Sequence, residues 1–176
     1  VVKIPSNNFY LVRIDTSTDD FVRDEAGDAT IFGWMEDATF DKYENRNQTG
    51  EVVVCPKHAV LQPGDRVTVK HFAADEDFQE EYNGEILYRV PLDSIYLYQR
   101  EGYAEALHDY VFTEPTSPDT GKVIYTSAAL GYLKPQQTIK VLPNGRYPVY
   151  VAGRLLWRVK EVFVVGVVEE CLMAVK

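Results

Sequence analysis

Gly84-Glu85-Ile86-Leu87-Tyr88-Arg89-Val90 reappears 69 residues later as Gly153-Arg154-Leu155-Leu156-Trp157-Arg158-Val159. Further landmarks recur in the same order. Gly50-Glu51-Val52-Val53-Val54 answers to Gly121-Lys122-Val123-Ile124-Tyr125, and the run Leu61 to Val69, with Pro63-Gly64-Asp65 inside it, answers to Leu133 to Val141. Each copy closes on an apolar strand, Leu92 to Tyr98 in the first and Val162 to Val168 in the second. The period is too long for a solenoid unit, so the chain reads as one small β module written twice.

Strand formers dominate both copies, as in Phe9 to Ile14, and Val67 to Phe72 alternates by two as a half-buried strand does. Turn chemistry separates them. Gln62-Pro63-Gly64-Asp65 suits a type II turn, and Asn83-Gly84 and Pro143-Asn144-Gly145 read as hairpin turns. Glu101 to Leu107 is the one segment that reads equally as a helical turn or as the linker between copies. Several short strands per copy at this spacing favour small antiparallel barrels. A half of this size is marginal alone, so the halves are expected to lean on each other or on partner subunits.

A net charge of −9 in 176 residues, with no basic run, argues against nucleic acid or an acidic membrane as the main partner. No apolar run is long enough to span a membrane and no leader precedes Val1, so a cytoplasmic location is the expectation. Cys55 and Cys171 fall at non-equivalent places and read as buried structural thiols. His58, His71 and His108 lack metal-ligand spacing. No phosphate loop, dinucleotide fingerprint or nucleophile elbow occurs, so no catalytic residue, cofactor or metal is expected and the chain does not read as an enzyme. The acidic group Asp75, Glu76, Asp77, Glu80 and Glu81 reads as a solvated loop.

The order of a Gly-Glu-Val-Val-Val strand, a Leu-x-Pro-Gly-Asp-x-Val turn, an Ile-Leu-Tyr strand and a closing Leu-Asp-Ser-Ile-Tyr-Leu strand resembles the GroES-like co-chaperonins. Leu107-His108-Asp109-Tyr110-Val111 is similar to the start of such a domain, where the second copy should begin. The resemblance covers most of Phe9 to Val168. It implies an all-β chain of two tandem, partly open GroES-like β-barrels, residues 1–100 and 105–176. Subunits of the family cover their strand edges by pairing with neighbours, so a homo-oligomer is expected, with Ile95 to Tyr98 near Tyr110 to Thr113 inside the chain.

The copies differ most between their first two strands. From Ile14 to Gly50 is 36 residues, and the matching interval from Thr113 to Gly121 is only 8. An insertion of that size is usually functional or disordered. The 15–49 loop holds ten acidic residues against three basic ones, and amid them lies Ile31-Phe32-Gly33-Trp34-Met35. In GroES-like proteins a mobile loop at this place docks a short apolar segment on the chaperonin apical domain. The resemblance therefore implies Ile31 and Phe32, with Trp34 beside them, as the partner-binding residues. Two other readings stay open: the segment is a hairpin packed on its own barrel with Trp34 as a plug, or the chain is an oligomeric scaffold or binding module with no chaperonin partner.

Overall fold

In the computed structural model, residues 8–15, 47–70 and 76–168 are described. They form an all-β structure of thirteen strands: β1 (Phe9–Ile14), β2 (Asn47–Val54), β3 (Arg66–Lys70), β4 (Gln79–Tyr82), β5 (Glu85–Pro91), β6 (Ile95–Arg100), β7 (Tyr103–Ala106), β8 (Tyr110–Pro115), β9 (Thr120–Thr126), β10 (Thr138–Val141), β11 (Tyr147–Val151), β12 (Arg154–Lys160) and β13 (Val164–Val168). Only short 3-10 turns interrupt them, and among the described residues no helix is long and apolar enough to cross a membrane.

The strands make two antiparallel sheets, in the orders β4-β5-β1-β2-β3-β6-β7 and β11-β12-β8-β9-β10-β13. Apart from β7, the second order repeats the first strand for strand. The correspondence reaches individual atoms. In the first sheet Val52 N–H donates to Asp65 O at 2.9 Å and Gly64 N–H to Val52 O at 2.8 Å; in the second, Val123 N–H donates to Gln137 O and Gln136 N–H to Val123 O, both at 2.8 Å. Gly64 turns with φ 92° and Gln136, its counterpart, with φ 75°. Ladder irregularities also recur, at Leu11/Val12 and Phe112/Thr113 and again at Thr68/Val69 and Lys140/Val141.

Gly50 and Gly121 occupy the same place, and each has no room for a side chain. A Cβ at Gly50 would lie 2.6 Å from Arg13 O and 2.7 Å from Val12 Cγ1, and one at Gly121 would lie 2.7 Å from Thr113 Oγ1. Gly50→Ala is expected to cost about 1–3 kcal/mol in a urea melt, because the obstacle is backbone and cannot swing away. Gly131→Ala, where the nearest atom is 4.0 Å away, is expected to change little.

Each sheet has its own apolar cluster. Tyr10, Val52, Leu61, Val67, Val69 and Val90 pack in the first, and Val111, Val123, Leu133, Ile139, Val141 and Val159 hold the matching places in the second. A third cluster spans both sheets, joining Tyr96, Leu97 and Ala106 to Phe112, Val149, Val151 and Leu156. Beside it the buried Arg158 guanidinium lies 4.0 Å from the Tyr96 ring centroid and 5.1 Å from that of Tyr147, with Tyr110 at 5.8 Å. Tyr96 meets Tyr110 edge to face at 4.9 Å. The two sheets are thus pressed together by an arginine wedged among aromatic faces, a contact that gains strength from desolvation.

One open reading is decided and one sequence expectation is corrected. Glu101–Leu107 is not a helical turn: Glu101 and Gly102 turn with φ 47° and 81°, and Tyr103–Ala106 returns as β7, antiparallel to β6. The segment also forms an isolated parallel bridge from Ala106 to Ser127. Pro143-Asn144-Gly145 is a 3-10 turn between β10 and β11, which do not pair with each other. Gly145 is there because a Cβ would fall 2.2 Å from Phe163 Cβ. The real hairpin, between β11 and β12, turns on Ala152 and Gly153 with φ 51° and 73°.

Candidate functional site

Three surfaces stand out: the neck of the first-half insertion, the cleft between the sheets, and the outer edge of β13. At the neck, β1 and β2 pair as far as Ile14 and Gly50. One step beyond, Asp15 N–H donates to Thr49 O at 2.9 Å, and the Thr49 hydroxyl donates to Asp15 Oδ2 at 2.8 Å. Arg66, across from β2 on β3, forks the Asp15 carboxylate, with Nη1 donating to Oδ1 at 3.2 Å and Nη2 to Oδ2. Hydrogen bonding from Arg66 holds the Asp15 carboxyl below its ordinary pKa, against a smaller opposing effect of burial. Residues 16–46 therefore leave and return through one clamped point. Ile31, Phe32 and Trp34 all lie in that span, outside the described residues, as does most of the acidic run. The second half closes the equivalent point with a small turn, in which Thr116 N–H donates to Thr120 O at 3.0 Å and Thr120 N–H to Ser117 Oγ at 3.1 Å.

The cleft consists of two adjoining cavities of 430 and 470 Å³ that share Arg66, Gln99 and Ala152. Its floor is an ion pair. Asp65, only 2% exposed, takes Arg100 in a fork, Nε to Oδ1 at 2.7 Å and Nη2 to Oδ2 at 2.6 Å, and accepts Gln62 N–H at 2.7 Å. Burial opposes charge on Asp65, but the Arg100 fork and the Gln62 N–H outweigh it, and its carboxyl sits below the usual range. Beside the pair, the hydroxyls of Tyr98 and Tyr103 both donate to Glu105 Oε2, at 2.9 and 2.7 Å. Burial, reinforced by Glu105, pushes the Tyr98 hydroxyl up to about 12. Cys55 is half-buried rather than buried, since it lies at the cluster's margin; its thiol donates to Leu61 O at 3.3 Å, and burial pushes its pKa up. That is the setting of a structural thiol, not an activated one. Cys171 lies outside the described residues. These carboxylates and guanidiniums are matched to one another, so the floor acts as a fixed polar joint rather than as a source of reactive groups.

The other polar residues singled out in the sequence are scattered. His58 is exposed in a turn, His108 is exposed with Nε2 3.0 Å from Leu92 O, and His71 lies outside the described residues. Arg89 draws together part of the acidic group, donating to Asp77 O at 3.2 Å and approaching Glu80 at 3.9 Å. Among the described residues no three His, Cys, Asp or Glu side chains converge as a metal site.

The third surface is the β13 edge, one of the outer strand edges that the sequence leads one to expect. In the first sheet the closing strand β6 is covered by β7, whereas in the second β13 pairs only with β10 among the described residues. Val165, Val167 and Val168 on it are exposed, as is Val162 just before it. A paired strand ladder with an open outer side and an apolar surface is a template for another chain.

No protein-family model matches the chain, and no curated protein matches it either.

Proposed function

We propose that the chain is a divergent tandem GroES-like co-chaperonin, which assembles as a homo-oligomer and caps a chaperonin through the apolar segment carried between β1 and β2. The observation that carries this reading is the duplicated strand order with a single long insertion whose two ends are clamped at Asp15 and Thr49. The finer fold assignment, two partly open barrels within 1–100 and 105–176, is supported by the way each core is filled. Side chains from β1, β2, β3, β5 and β6 all enter one cluster. Five strands laid flat would span roughly 19 Å at ~4.8 Å per strand, wide for one compact cluster, which favours a sheet that curls around it.

A clamped neck lets a docking segment reach a groove without disturbing the sheet that bears it. Ile31 and Phe32, with Trp34, supply apolar anchors, and the acidic flanks keep the free segment in water. Several copies acting together then turn modest single contacts into stable capping. The second half, which has no such insertion, favours a second reading as an oligomeric scaffold or binding module. One experiment separates the two. The purified protein is passed over an immobilised chaperonin with bound nucleotide, together with an Ile31→Ser, Phe32→Ser double variant. Capture of the parent and loss of capture by the variant, with stability within roughly 0.5 kcal/mol of the parent, is the expected result. A parent that does not bind overturns the chaperonin reading. A variant destabilised by about 2–5 kcal/mol per residue places the pair in a core instead of on a docking element.

A further inference from the structure

The two modules are alike where they pack and opposite where they are charged. Arg89 faces Leu11 as Arg158 faces Phe112, so β1 and β8 align with Leu11 on Phe112 and Arg13 on Glu114. The sequence repeat places Glu51 on Lys122 and Glu85 on Arg154. Apolar positions change little: Val52 answers to Val123, Leu87 to Leu156 and Val90 to Val159, all fully buried. The three charged positions all change sign.

In the first module the Arg13 guanidinium on β1 lies between two carboxylates, 3.4 Å from Glu51 on β2 and 2.6 Å from Glu85 on β5. In the second, Glu114 on β8 takes the Arg154 guanidinium of β12 at 3.0 Å and faces Lys122 of β9 in register. The ion-paired side chains are 40–53% exposed, so each pair adds little to stability. Their sign pattern supplies what packing does not. β1 lies between β5 and β2 as β8 lies between β12 and β9, and both strands bury their second, third and fourth residues. Apolar burial alone therefore discriminates poorly between the two slots. If β1 and β8 trade places, Arg13 meets Lys122 and Arg154, Glu114 meets Glu51 and Glu85, and all four unlike contacts become like ones. Each contact then counts twice, as attraction lost and as repulsion gained.

We infer that this sign reversal is a pairing code that keeps the strands of the two copies apart while the chain folds: β1 is directed to β2 and β5, and β8 to β9 and β12. Exchange of equivalent strands is the error to which a chain containing one module twice is most exposed, both within a chain and between two chains. The code acts on folding, so it stands or falls independently of any docking partner.

A cross-link reports the error directly. Phe9 faces Pro91 as Tyr110 faces Lys160, so Phe9→Cys and Lys160→Cys meet only when β1 lies against β12. These substitutions are combined with Cys55→Ser and Cys171→Ser, the chain is refolded from urea with oxidised glutathione, and cross-linked product is measured on non-reducing gels. With the native charges the cross-link should be a trace. Glu114→Arg, Lys122→Glu and Arg154→Glu together give the second module the signs of the first while every contact within a module stays unlike. The cross-link is then expected to rise roughly fivefold or more. Adding Arg13→Glu, Glu51→Lys and Glu85→Arg reverses the first module, restores the contrast and should return the cross-link to a trace. A triple variant no more cross-linked than the native-charge chain overturns the inference, as does a six-residue variant that stays as cross-linked as the triple. A triple variant that aggregates while the six-residue variant refolds supports it. Failure of both to regain the circular dichroism of the sheet overturns it, because the charges are then needed within each module and not between them.

Discussion

Trp157→Ala is expected to lower the stability of the protein by about 3–5 kcal/mol, the usual range for emptying an aromatic site in a core. Trp157 is 1% exposed and packs in the second cluster with Val111, Leu130, Leu133 and Ile139, under the Arg146 guanidinium 5.1 Å from its ring centroid. Nothing in a sheet pinned on both sides can collapse into the space it leaves. Its indole Nε1 is buried without a hydrogen-bond partner among the described residues, so the site is filled for volume and not for polarity. Trp157→Phe keeps most of the volume and drops the unpaired donor, and should therefore cost less than about 1.5 kcal/mol. Urea melts followed by circular dichroism test both, and an alanine variant within about 1 kcal/mol of the parent would mean that the second core does not depend on this side chain.

Asp65→Asn is expected to destabilise the protein at neutral pH and to have almost no effect in acid. The fork from Arg100 and the Gln62 N–H keep the Asp65 carboxyl below the ordinary carboxylate pKa of about 3.9. A carboxyl whose folded pKa is depressed contributes its stabilisation in full above the unfolded value and loses it as the pH falls through the folded one. The parent should therefore lose stability below about pH 4, and the variant should lack that part of the slope, so the two curves converge as the pH drops. At pH 7 the gap should fall between the ~1 kcal/mol of an exposed pair and the roughly 3–5 kcal/mol of a fully enclosed one, because Arg100 still reaches solvent. Asp15 leaves a residual acid slope in both proteins. Parallel curves from pH 7 to pH 3 would show that the pair does not carry the acid sensitivity.

The duplication and the all-β character could be read from the sequence because the repeat preserves residues with stringent local demands. Gly50 and Gly121 sit where no Cβ fits, and the Leu61 and Leu133 runs open with the same hydrogen-bonded turn. What escaped had no such mark. β7 begins after a turn on Glu101, and the β11–β12 hairpin turns on Ala152; both adopt positive φ, which their residue types do not advertise. Conversely, Pro143-Asn144-Gly145 carries hairpin chemistry, yet its glycine serves to make room for Phe163. Val164 to Val168 reads as a core strand by composition, yet Val165, Val167 and Val168 are exposed. The Asp65–Arg100 fork joins residues 35 apart, and the cleft above it exists only once the two sheets meet. Ile31, Phe32 and Trp34 were legible as an apolar island among acids and lie outside the described residues.

The third cluster binds two modules into one polypeptide, and that fixes the parity of anything built from it. A closed circle of these chains contains an even number of modules, whatever its size, with the 16–46 span on every second one. Under the proposed function, a receptor with grooves spaced one module apart would then be addressed at alternate grooves. Such a receptor would need an even number of grooves to be matched in register all the way round.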